Sequence, residues 1–221
     1  MNTVVSFYET VASCTNTVID CPNTVNNPSI GWLPRGFYTE GQPKHISLLL
    51  VAKNPGHPLQ SEQGMYHDRT VREIVQEHMA LVGRIFSKAQ AFTAKDNRSL
   101  TFHKNVLEYA GYFLDVPAKD VFKQCVYTNL VKCSTTGERD RLHPQTQQAC
   151  FCRHFQREVA FFNPRAIVAF GREAYRFLVH PTIYSVHHRP VVYVKHPSYP
   201  YSKAKKDDIL ASIKSELKEY F

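Results

Sequence analysis

Four short apolar runs punctuate the chain, at residues 46–52, 124–131, 165–170 and 190–195. Each is rich in Val, Ile, Leu and aromatic residues and too short for a buried helix, which predicts strands covered on both faces. The segments between them carry helical periodicity. Residues 3–14 begin the chain as a helix, followed by a long loop rich in Asn, Pro and Gly through about Pro43. A second helix starts near Thr70, whose side chain can cap the turn that carries Glu73, and its apolar face continues through Leu81, Val82, Ile85 and Phe86. Further helices are predicted over 101–114, over 144–161 from Pro144 at a first helical position, and over 172–179 after Gly171. The last runs over 202–220, with Ile209, Leu210, Ile213 and Leu217 on one face. Buried strands alternating with helices predict an α/β fold, a three-layer α/β/α sandwich around a four-stranded parallel sheet, and a single domain over residues 1–221.

Two of the predicted strands stop on Pro-locked turns. The first runs into Lys53-Asn54-Pro55-Gly56, and the fourth into His196-Pro197-Ser198. Ligands of open parallel sheets bind outside the carboxyl ends of the strands, so this pair marks a candidate active site. Either tripeptide alone would read as a plain turn. Asn129, at the end of the second strand, carries both a donor and an acceptor suited to a pyrimidine edge.

A formal charge of +8 and a pI near 9.2 favour a polyanionic partner such as DNA or RNA. No apolar run approaches the roughly 20 residues that span a bilayer, and the N-terminus lacks a basic start and an apolar signal core. The expectation is a cytoplasmic monomer with no membrane association. Six cysteines in such a chain argue against a disulfide framework and toward a metal, a cluster or plain burial. Cys125, inside a strand, reads as core, whereas His187 and His188 read as surface residues.

The two strand-end turns resemble the signature motifs of the uracil-DNA glycosylase superfamily. The stretch Tyr127-Thr128-Asn129-Leu130-Val131-Lys132-Cys133, then Gly137-Glu138-Arg139-Asp140, Pro144 and Ala149-Cys150, is similar to the middle segment of its iron–sulfur, thermostable-type members. Residues 163–171 resemble the strand-turn that follows there, and Val11-Ala12-Ser13-Cys14 the start of the N-terminal cysteine pair. Two features depart from that branch. The first motif has Asn-Pro-Gly, closer to the mismatch-specific and single-strand-selective members. The N-terminal pair is also spaced Cys14-x6-Cys21, wider than the pattern.

The resemblance implies a monofunctional enzyme that flips a base out of DNA and hydrolyses its N-glycosidic bond. Asn54 would orient the attacking water, His196 would donate to the base carbonyl as charge develops, and Asn129 would read uracil. Tyr66 is the candidate stacking platform. Ser198 and Lys203 are candidate phosphate contacts, and Tyr199 and Tyr201 candidate wedges. By position, Cys14, Cys21, Cys133 and Cys150 match the ligands of a [4Fe–4S] cluster that orders the loop around Gly137–His143 and places Arg139 on DNA. Zinc also satisfies four thiolates, Cys152 is an alternative to Cys150, and unliganded thiols are the third reading. Lys53 beside Asn54 sets a contrasting expectation, a nucleic-acid-binding protein of the same fold without catalysis. A small-molecule N-ribosyl hydrolase finds neither a Gly-rich phosphate loop nor an acidic metal cluster in the chain.

Overall fold

All four apolar runs form strands whose side chains alternate between two packed layers. The computed structural model describes residues 3–14, 20–25, 33–56, 68–91, 100–137 and 141–221, so the candidates Tyr66 and Arg139 lie outside the described residues. In chain order the elements are α1 (Val4–Ala12), β1 (Thr24–Val25), β2 (Leu48–Ala52), α2 (Val71–Gln90), α3 (Thr101–Leu114), α4 (Val121–Gln124), β3 (Cys125–Asn129) and β4 (Ser134–Thr135). There follow α5 (Pro144–Cys150), α6 (Gln156–Phe162), β5 (Ala166–Phe170), α7 (Arg172–Leu178), α8 (Pro181–His187), β6 (Val191–Val194) and α9 (Lys203–Leu217).

The main sheet is entirely parallel, in the order β3-β2-β5-β6. Leu48, Leu50 and Ala52 face one layer, built largely from α2, α3 and α9. Leu49 and Val51 face the other, where α1, α6, α7 and α8 supply Phe7, Tyr8, Phe162, Leu178 and Ile183. This is the three-layer sandwich that the sequence predicts. Every residue of β2, β3 and β5 is buried, which explains why these strands read as unbroken apolar runs. The capping box forms at α2: Glu73 N–H donates to Thr70 Oγ1 (3.3 Å) and Thr70 N–H to Glu73 Oε2 (2.7 Å).

Two expectations need correction, and one helix went unread. The helix predicted over 144–161 is interrupted by a wider π-type turn over Phe151–Phe155 between α5 and α6. Residues eight apart on a regular helix point roughly 80° apart, and the wider turn takes up much of that offset. Cys150 and Glu158 thereby both face inward. The region before β6 contains α8, which starts on Pro181. His187 is also not a surface residue: it is buried, donates from Nε2 to Leu178 O (3.0 Å) and accepts at Nδ1 from Arg189 N–H (3.0 Å). His188 is exposed as expected.

A second, two-stranded antiparallel sheet pairs β1 with β4, tying the N-terminal segment beside Cys21 to the segment beside Cys133. Beneath it lies a buried ion pair. Lys132 Nζ meets Glu158 Oε2 at 2.6 Å and also donates to Thr128 Oγ1 (2.5 Å) and Asn129 O (2.7 Å). Glu158 Oε1 in turn accepts from Tyr8 OH (2.6 Å) and Thr128 Oγ1 (2.8 Å). A buried pair with both members this fully bonded fixes geometry, whatever its net worth in stability.

Candidate active site

The carboxyl ends of β2 and β6 meet in a cleft of about 390 Å³, whose walls include Asn54, Pro55, Phe102, His103, Tyr127 and His196. The backbone of the first turn is pinned from below, because the ladder continues past the strands. Leu130 N–H donates to Ala52 O (2.8 Å) and Val131 N–H to Lys53 O (3.1 Å). Ser134 Oγ donates to Gly56 O (2.8 Å), and so does the guanidinium of buried Arg35. Arg35 also donates to Ser134 Oγ (3.0 Å), closing the clamp.

A bond within the turn itself decides what Asn54 can offer. Its Nδ2 donates to Pro55 O (3.0 Å), which leaves Oδ1 available as an acceptor in the cleft. His196 is constrained in a complementary way. Ser198 N–H donates to His196 Nδ1 (3.3 Å), so the neutral imidazole carries its proton on Nε2. The ring packs 5.2 Å from that of Phe102, and desolvation holds its pKa below the usual 6.5 even though the rim of the residue is open to solvent. At neutral pH His196 is therefore a neutral Nε2–H donor. Its turn is held from α3 and α9: Asn105 Nδ2 donates to Pro197 O (2.5 Å), and Lys206 Nζ donates to Asn105 Oδ1 (3.1 Å).

Asn129 stands beside the first turn, opposite Ala52 in the ladder, and is fully buried. Its Nδ2 donates to Gly36 O (2.8 Å), while Oδ1 has no partner among the described residues. Gly36 makes this approach feasible. It has φ +82°, and a Cβ there would lie 2.0 Å from Asn129 Nδ2. Gly36 N–H donates to His78 Nε2 (3.1 Å), and burial lowers the pKa of that histidine to about 3. Ser198 and Lys203 are exposed near the second turn, and Lys195 Nζ lies 4.3 Å from the ring centre of Tyr199. Lys53 lines the cleft, yet its ammonium pairs with Glu173 Oε2 on α7 (3.4 Å).

Sequence reasoning missed Arg35, Phe102, His103 and Asn105. None sits in a motif, and each reaches the site from a loop or from α3 through tertiary packing. The only advance signal was the pair of polar residues, His103 and Asn105, within an otherwise amphipathic helix.

Four of the six cysteines converge away from the cleft. Cys14, Cys21, Cys133 and Cys150 line one cavity with Lys132, Arg153 and His154. Cys152 is exposed, and Cys125 is core as expected. Burial raises the pKa of the Cys133 thiol, and proximity to Cys150, Cys14 and Cys21 raises it further. Cys150, pushed up to about 12 mainly by burial, accepts at Sγ from Lys132 N–H (3.3 Å). The segment beside Cys21 is held by Thr146 Oγ1 donating to Pro22 O (2.7 Å) and by Arg153 pairing with Asp20 (2.7 Å). Among the described residues, no three His, Cys, Asp or Glu side chains are placed to hold one metal ion.

No curated protein matches the chain. The family model described as the Uracil DNA glycosylase superfamily matches residues 38–218, which takes in both strand-end turns, Asn129, Cys133 and Cys150, and leaves Cys14, Cys21 and Arg35 outside. With the parallel sheet and the paired turns in place, that match over most of the chain shows that it belongs to the uracil DNA glycosylase superfamily.

Proposed function

We propose that the protein is a monofunctional DNA glycosylase that hydrolyses the N-glycosidic bond of uracil or another deaminated base. The observation that carries this reading is the complementary pair in one cleft, an acceptor at Asn54 Oδ1 and a neutral donor at His196 Nε2. Breaking the bond develops positive character on the sugar and negative charge on the departing base. Asn54 accepts from the water and aims its lone pair at the sugar carbon. His196 donates to the base carbonyl as it gains charge, where a preorganised donor is worth most. Asn129 is fully buried and does not line the cleft, so its unpartnered Oδ1, with the amide nitrogen held by Gly36, meets an N–H of a base edge only once the floor of the cleft opens. The rings of Phe102 and Tyr127 in the cleft wall offer a flipped base apolar faces. Lys53, paired with Glu173, is directed away from Schiff-base chemistry.

The four thiols that line one cavity are the donor set of a [4Fe–4S] group and equally of zinc, and the cavity, about 10 Å³, must widen to take a cluster. Cys14, Cys21, Cys133 and Cys150 would hold a [4Fe–4S] group whose contribution is structural, stapling the N-terminal segment to the end of β3. Iron and sulfide content of the purified protein, lost in Cys150→Ser, tests this; zinc with no visible absorption would overturn it.

Base release from single- and double-stranded oligonucleotides carrying uracil, hypoxanthine or xanthine tests the enzyme reading. The expected result is cleavage of one lesion, reduced roughly 10²–10⁴-fold in Asn54→Ala with DNA binding retained. Release from no lesion by folded protein that still binds DNA would favour the binding-only reading.

A further inference from the structure

A groove of about 910 Å³, against about 390 Å³ for the cleft, runs along the flank of the molecule between the start of α5 and helices α7 and α8. Arg141, Arg172 and Arg176 line it and are exposed, with Phe177 and Ile183 among its apolar lining residues. Arg172 and Arg176 stand four residues apart on α7, so their like charges share one face, an arrangement that disfavours the bare helix. Among the described residues none of the three arginines has a carboxylate partner. The single carboxylate in the lining, Glu173, is already engaged. It accepts from Leu142 N–H (2.7 Å) and Gln147 Nε2 (3.4 Å) and pairs with Lys53 (3.4 Å). Lys53 itself lines the cleft, so the Lys53–Glu173 pair joins the two depressions.

A cationic groove with an aromatic ring in its wall, opening beside a cleft that takes a nucleotide, matches a single strand in charge and in shape. We propose that this groove holds the phosphodiester backbone of the nucleic-acid strand as it leaves the cleft, with Arg141, Arg172 and Arg176 meeting successive phosphates. The inference rests on the glycosylase reading and adds a second subsite to it. The Lys53–Glu173 pair then has a positioning role: it neutralises the one carboxylate that would repel the strand.

The test compares wild type with Arg141→Gln/Arg176→Gln, both positions being exposed and outside the lining of the cleft. Affinity is measured against salt for two single-stranded oligonucleotides, one short enough to fill only the cleft and one long enough to pass beyond it. On the long strand the magnitude of the log–log salt slope should fall by about 1.4 in the double variant, about 0.7 for each phosphate that is no longer neutralised. Slope and base-release rate on the short strand should stay unchanged, and Arg141→Lys/Arg176→Lys should restore the long-strand slope. An unchanged long-strand slope in the double variant, with a wild type that binds DNA and releases bases, would overturn the groove and leave the glycosylase reading standing. A wild type with no salt-dependent DNA binding and no base release would overturn both. Arginine-dependent binding of poly-glutamate, with long-strand binding unaffected, would overturn the inference in favour of an acidic polypeptide.

Discussion

The two turns that build the cleft are supported in opposite ways. Asn54-Pro55-Gly56 rests on buried groups: the extended ladder from Leu130 and Val131, the Arg35–Ser134 clamp, and Gly36 seated on His78 and Asn129. His196-Pro197-Ser198 hangs from partly exposed side chains, Asn105 and Lys206. In the proposed reaction the first turn aims a water and tolerates little error, whereas the second must accommodate an incoming base and strand. The first turn is held largely by buried bonds shielded from solvent, and the second by half-buried bonds at the edge where a substrate enters.

The sharpest way to break this contrast is Arg35→Ala. It removes charge-assisted bonds to Gly56 O and Ser134 in a buried setting, and should cost roughly 3–5 kcal/mol by denaturant unfolding. Base release should be lost with it. A variant as stable as wild type would show that the first turn does not depend on the clamp.

Acid should act next, through His78 beneath the first turn and through His103 on α3. His78 has a folded pKa of about 3 against 6.5 for an unperturbed histidine, because burial disfavours its charged form, and His103 is lowered to about 4 by the same cause. The unfolded state therefore takes up protons first as pH falls. The stability these groups support is fully present above pH 6.5 and is lost progressively below it. His78 alone contributes a slope of about 1.4 kcal/mol per pH unit between roughly pH 6 and pH 4. His78→Gln should flatten that part of the stability curve, and an unaltered curve would remove His78 from the account.

The smallest stability effect is expected at the second turn. Asn105→Ala should cost only about 1 kcal/mol of stability. It frees Pro197 O and should lower the maximal rate of base release by roughly tenfold through His196. Asn105→Asp, which still accepts from Lys206 but cannot donate to Pro197 O, should not rescue the rate. Equal losses of stability and rate at the two turns would erase the distinction between them.

The strands were legible because burial on both faces leaves no polar residue to interrupt Leu48–Ala52 or Ala166–Phe170. Helix α2 was legible because Thr70 and Glu73 mark its start. The pairing of β1 with β4 left no trace, since two residues a side form no pattern. The π-type turn was equally invisible, as Phe151 and Phe155 fit regular periodicity too. At the site, Asn54 and His196 could be read because Pro fixes the chain after each. Asn129 could be placed at a strand end, but its bond to Gly36 is set by a φ of +82° at a residue ninety-three positions away. Arg35 and Asn105 act on carbonyl oxygens, which every residue has, so no sequence signal points to their partners.

The thiol cavity has a consequence for the timing of synthesis. Cys14 and Cys21 emerge from the ribosome first, yet their partners in the cavity, Cys133 and Cys150, are made more than a hundred residues later. At roughly 5–20 residues per second the early pair waits on the order of ten seconds before β4 exists to hold it. Through that interval α1 has α2 to pack on, but Cys14 and Cys21 lack the two thiols that share their cavity, so a reducing environment matters most before the protein is complete.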